Sequence, residues 1–92
     1  MEKFGSKFGT GFQTKILSAL LSDMVFSRQI YDILKPQYFD SEASEWLCKT
    51  ILEYIDTYES KPTLDVLKTK ISPIERVILK TSVIDNVRSV FQ

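Results

Sequence analysis

Glycine and proline divide this chain into a short, glycine-bearing start and a long stretch that is interrupted at only three places. All three glycines lie within the first eleven of the 92 residues, and the prolines stand at positions 36, 62 and 73. Glycine frees the backbone and proline delimits helices, so the remainder is predicted to be a series of helices. We therefore expect a flexible N-terminal arm over residues 1–11 and one helical headpiece over residues 12–92.

Apolar residues recur at helical spacing between these breaks, without the strict alternation that is typical of strands. We predict an all-α fold, a compact bundle of five to six short helices around one long central helix. Asp40 or Ser41 is expected to cap the long helix, and Thr63 the helix after it. Ser72 is expected to cap the last helix, with Pro73 as its first residue. The predicted helices cover residues 12–22, 24–34, about 41–60, 64–71 and 73–91.

The same spacing predicts which side chains face the core. Tyr38 and Phe39, in the link after Pro36, are expected to fill the space between helices. Trp46 is expected to lie on the inner face of the long helix. Other residues predicted to face inward include Val25, Ile33, Tyr58, Val77, Ile78, Ile84 and Phe91.

Charge is balanced over the whole chain, with twelve basic and twelve acidic residues. Residues 37–60 nevertheless carry six acidic groups and one basic group, between two mildly basic ends. An acidic middle can steer a partner or order like subunits in a ring, and it is also typical of a solvated helix face. The balance disfavours a dedicated nucleic-acid binder, so we expect little direct DNA binding.

Five residues are candidates for an interface with another protein. Phe4 and Phe8 are the only large apolar anchors in the arm, and Tyr31 stands beside apolar neighbours on a predicted outer position. Glu53 and Asp56 belong to the acidic part of the long helix. An ordinary surface tyrosine remains an equal alternative for Tyr31.

The sequence contains no pattern that is typical of a catalytic, cofactor-binding or metal site. It has no histidine and one cysteine, Cys48, which we interpret as a partly buried, inert residue. Asp40, Glu42 and Glu45 stand at a predicted helix start, where carboxylates complement the helix dipole. A lone cysteine and the lack of a long apolar run favour a cytoplasmic protein with no membrane partner.

The run from residue 12 to residue 67 has a further pattern. It opens with FQTKILSALLSD and continues with FSRQIYDILKPQYFDSEASEWLCKTILEYIDTYESKPTLDVL. Its landmarks are Tyr38-Phe39, Trp46 and Pro62-Thr63. In these features the chain resembles the N-terminal domain of DnaB-type replicative helicases, in the variety carried by phages.

The resemblance implies a function. Helicases of this family are ring hexamers that unwind DNA in a separate RecA-like motor, with ATP and Mg²⁺. Their N-terminal domain forms a collar that self-associates and takes part in binding primase and the helicase loader, here in the cytoplasm of an infected bacterium. The chain would then be non-catalytic and hold no cofactor itself.

The sequence departs from the family in one respect and leaves an alternative open. The phosphate-binding loop is absent from these residues, and residues 73–92 fit either the last headpiece helices or the start of the family's helical hairpin. The alternative is a stand-alone small helical phage regulator that binds a host protein or, weakly, DNA.

Overall fold

The computed structural model describes residues 10–91, which form five α-helices and one short 3-10 turn, with no strand among them. The predicted all-α fold, with short helices around one long helix, is therefore confirmed. No helix in this part of the chain is both long and apolar enough to cross a membrane. The elements are α1 (Thr10–Ser22), α2 (Met24–Ile30), the 3-10 turn (Pro36–Tyr38), α3 (Glu42–Tyr58), α4 (Leu64–Ile71) and α5 (Val77–Val90).

Helix α3 is the centre of the fold and contacts α1, α5 and the 3-10 turn. It begins where predicted because the Ser41 hydroxyl accepts a hydrogen bond from the backbone N–H of Ser44, at 3.1 Å. It ends at Tyr58, and the next residue, Glu59, adopts a left-handed backbone (φ 53°) while its N–H donates to the Ile55 carbonyl. Its inner side places Leu47, Ile51 and Ile55 in the core.

The link between α2 and α3 is fastened to the core by Phe39, as predicted. Phe39 is fully buried and Tyr38 is half-buried against the same cluster. The buried amide of Gln13 on α1 accepts a hydrogen bond from the backbone N–H of Asp40, at 3.1 Å. Helix α1 therefore holds the link at the point where the chain turns into α3.

Helix α1 begins at Thr10, two residues earlier than predicted. Gly11 is helical, with nothing within 4 Å of the place where a Cβ would stand, so the helix includes it without a packing conflict. The last two residues of the predicted arm thus belong to α1. Residues 1–9, and with them Phe4 and Phe8, lie outside the described part of the chain.

Helix α2 is shorter than predicted and faces the core differently. It ends at Ile30, and residues 31–33 form a turn. Val25 and Ile33, predicted to face inward, are 67% and 66% exposed. The inner position belongs to Ser27, which is fully buried and donates to the carbonyl of Leu20 at 2.9 Å. The small hydroxyl satisfies its own hydrogen bond inside the core, which a search for apolar residues does not detect.

Helix α5 begins at Val77, not at Pro73 as predicted. The N–H of Ser72 bonds to the Lys68 carbonyl and caps the end of α4, so Ser72 does not start a new helix. Val77 and Ile78 are 76% and 81% exposed, contrary to prediction. The helix then runs unbroken to Val90.

The buried stripe of α5 consists of Val83, Val87 and Val90, offset by about one residue, roughly 100°, from the predicted stripe. Apolar residues cover more than one face of this helix, and contact with α1 and α3 selects one of them. Phe91 and Tyr58, also predicted inward, are exposed. Tyr58 is the last residue of α3 and packs on Tyr54, with ring centroids 4.5 Å apart.

Candidate functional site

The fold brings three of the predicted interface residues to one place. Tyr31, Glu53 and Asp56 line a single open cavity of about 320 Å³ between the end of α2 and the outer side of α3. Asp32 and Lys49 border the same cavity. We call these five side chains the Tyr31 surface. The surface carries charges of both signs, because Lys49 lies beside the acidic groups of α3.

The local structure explains why these residues meet. Tyr31 directly follows the last residue of α2, where the chain turns toward α3. Glu53 and Asp56 stand three residues apart on α3 and are exposed, while Ile55 between them is buried. Residues three apart share one face of a helix, so both carboxylates point away from the core.

Tyr31 is half-buried and interacts with the neighbouring carboxylates. Hydrogen bonding to Asp56 raises the pKa of the Tyr31 hydroxyl, with smaller contributions from burial and from the negative charges of Asp56 and Asp32. The phenol therefore stays protonated at neutral pH, beside the carboxylates of Asp56 and Asp32. An aromatic ring of this kind, with polar groups around it, suits contact with another protein.

A second concave surface was not predicted from the sequence. It lies between α4 and α5 and has a volume of about 760 Å³. The predicted inner face of α5 included Ile84 and Phe91, which turn out to line this open groove. Lys80 and Arg88, four residues before and after Ile84, are the sequence signal that points to a surface here and not to a core face. The lining residues are Leu64, Lys68, Ile71, Ser72, Lys80, Ile84, Val87, Arg88 and Phe91.

Cys48 lies in the core and is more deeply buried than predicted, with no exposed area. Burial, followed by the charge of Glu45, raises the pKa of its thiol to about 12. A protonated thiol is a poor nucleophile and a poor metal ligand. In the described residues, no group of three or more His, Cys, Asp or Glu side chains is arranged to hold a metal ion.

One of the three carboxylates at the start of α3, that of Glu42, has a structural partner. Ser41 provides the cap, and Glu42 and Glu45 lie in the first turn of α3, as predicted for dipole complementation. Glu42 forms a two-pronged ion pair with Arg76, which lowers the pKa of the Glu42 carboxyl. Both side chains of the pair are more than half exposed, so it links the start of α3 to the start of α5 weakly.

Comparison with protein-family models, with curated proteins and with solved structures finds no match to this chain.

Proposed function

We propose that this chain is the non-catalytic N-terminal collar domain of a hexameric, DnaB-type replicative DNA helicase. In this role it supports ring assembly and docks primase or the helicase loader. The positions of the landmarks support the proposal. Phe39 is buried in the core, Trp46 lies half-buried on α3, and Pro62 is buried just before α4. The run that carries the resemblance thus lies within one helical domain.

The observation that carries the proposal is the placement of the most exposed aliphatic side chains. Among the described residues, the four most exposed large aliphatic side chains form two pairs. Val25 lies on α2 and Ile33 in the turn that follows it, and Val77 and Ile78 open α5. Exposed apolar groups that are concentrated in this way mark protein contacts. A subunit in a ring needs two different contact surfaces, one for each neighbour, and two separate apolar pairs provide them.

We assign the Tyr31 surface to primase or the loader. It offers one half-buried aromatic ring and exposed carboxylates, which is the mixture of apolar and polar groups that non-obligate interfaces use. It shares no residue with the two aliphatic pairs. ATP and Mg²⁺ belong, in this proposal, to a motor domain that follows the collar.

Self-association is the first test. Sedimentation equilibrium of the full 92-residue chain is expected to show a concentration-dependent oligomer. Ile33→Lys and Ile78→Lys should each reduce it, because a lysine replaces an exposed apolar contact. Thr57→Lys on α3 and Thr69→Lys on α4 are the controls, since both positions are exposed and lie outside the segments that carry the two aliphatic pairs. Equal effects of variants and controls would contradict the assigned contacts.

The gene supplies an independent test. The reading frame is expected to continue past the codon for Gln92 into a RecA-like motor with a GKT-type phosphate loop. A stop codon at that point would contradict the helicase and favour the stand-alone regulator.

A further inference from the structure

The groove between α4 and α5 has an apolar floor. Ile71 and Val87 are buried at its base, and Ile84 is half-buried beside them. Leu64 and Phe91 also line it and are 37% and 42% exposed, so each has apolar area left to cover. None of these five residues belongs to the Tyr31 surface or to the two aliphatic pairs.

The rim of the groove is basic. Lys68, Lys80 and Arg88 line it, and none of the nine lining residues is acidic. The Lys80 ammonium donates to the Ser72 carbonyl at 3.1 Å, which holds that charge at the edge of the groove. Lys68 and Arg88 are exposed. The potential along the rim therefore favours a ligand with negative charge.

The length of the groove fits a helix. The lining residues of α5 run from Lys80 to Phe91, roughly 16 Å along a helix that rises 1.5 Å per residue. That is about three helical turns. Lys80 and Arg88 are about 12 Å apart along the axis, or about two turns. An open groove between two helices is a common receptor for the apolar face of a third helix.

We propose that this groove binds an amphipathic helix of a partner protein, with about three turns of apolar stripe flanked by carboxylates two turns apart. The apolar stripe covers Leu64, Ile84 and Phe91, and the carboxylates pair with Lys68, Lys80 and Arg88. Charge complementarity selects this occupant, because the groove offers three cations and no anion. The inference does not depend on the helicase assignment.

The probe is a synthetic, fluorescein-labelled helical peptide of fourteen residues, with leucines on one face and glutamates on both flanks. A matched peptide has lysine in place of every glutamate. Fluorescence anisotropy with the full chain is expected to show saturable binding of the glutamate peptide, at least tenfold tighter than the lysine peptide. Binding should weaken as salt rises, because the contacts at the rim are partly exposed.

Charge-reversed variants locate the site. Lys68→Glu and Arg88→Glu are each expected to weaken binding at least tenfold. Lys70→Glu is the matched control for the first, since Lys70 is exposed on the same helix but does not line the groove. Arg28→Glu on α2 is the control for the second, and both controls should stay within about twofold of the parent chain. Circular dichroism checks that each variant is folded.

Five outcomes would overturn the proposal. The first is an absence of glutamate-peptide binding, and the second is equal binding of the two peptides. The third is a control variant that weakens binding as much as its partner. The fourth is displacement of the peptide by decanoate at similar affinity, which would assign the groove to small anionic amphiphiles. Loss of self-association in Lys68→Glu would instead assign the groove to a second copy of the chain.

Discussion

The Asn86 side chain on α5 donates a hydrogen bond of 2.9 Å to the hydroxyl of Ser44 on α3. Ser44 is buried and Asn86 is half-buried, although they are 42 residues apart in the chain. The bond fixes which side of α5 faces α3. It therefore helps select the stripe of Val83, Val87 and Val90 over the competing apolar residues of the same helix.

Replacing Asn86 with Leu is expected to lower the free energy of unfolding by about 1–2 kcal/mol, because the buried Ser44 hydroxyl loses its partner. Adding Ser44→Ala should recover part of that loss, since the unsatisfied hydroxyl is removed. Urea denaturation of the two single variants and the double variant measures the coupling. Strictly additive effects would show that the bond contributes nothing specific.

Phe39→Ala is expected to cost about 3–5 kcal/mol, because Phe39 is fully buried in the core. Trp46→Ala should cost less, about 1–2 kcal/mol, since the indole is only half-buried. Thermal or urea unfolding of both variants shows which substitution lowers the free energy of unfolding more. If Trp46→Ala lowered the free energy of unfolding as much as Phe39→Ala, the central position of Phe39 in the core would be contradicted.

The sequence predicts the fold correctly where a local feature, such as a helix cap, has only one possible structural role. Ser41 caps α3 and Thr63 caps α4, and both helices start where these residues predict. Elsewhere two signals compete. Ser72 and Pro73 resemble a helix start, yet Ser72 closes α4 instead. Buried polar residues such as Ser27 are not visible to an apolar pattern, because their partners become known only in the folded chain.

The candidate surfaces show the same division. Tyr31 is a candidate for its apolar neighbours and Glu53 and Asp56 for their place in the acidic part of α3, and the fold brings all three to one cavity. Their assignment as an interface remains a prediction, as does that of Phe4 and Phe8. The α4–α5 groove could not be predicted from the sequence, because the local spacing placed the buried stripe of α5 about one residue away from its position in the fold.

Cys48 gives a pH dependence with a defined sign. Burial, and then the charge of Glu45, raises the pKa of the folded thiol from 9.0 to about 12. Above pH 9 the unfolded chain loses this proton and the folded chain keeps it, so stability falls as the pH rises toward 12. The slope is at most about 1.4 kcal/mol per pH unit.

Cys48→Ala isolates this contribution, because every other titrating group remains. Urea denaturation of both chains between pH 8 and pH 11 is expected to show a shallower decline for the variant. Parallel curves would mean that the thiol titrates normally in the folded protein.

Asp56→Asn is expected to lower the pKa of Tyr31 toward 10.0, because the hydrogen bond to a charged carboxylate is its largest cause of elevation. Titration of the assigned Tyr31 ring carbon by NMR measures the change. Glu53→Gln is the control, since Glu53 borders the same cavity but is not a cause of the elevation. An equal shift in both variants would show that the overall negative charge near Tyr31, and not the hydrogen bond to Asp56, raises its pKa.

The most direct test of the central claim is isothermal titration calorimetry of the full 92-residue chain against the primase and the helicase loader encoded by the same genome. We expect saturable binding to at least one of them. Glu53→Lys should weaken it at least tenfold, because the variant reverses a charge on the Tyr31 surface. Glu75→Lys, an equal charge change at an exposed site away from that surface, should not. Absence of binding to both proteins, together with absence of self-association, would contradict the account.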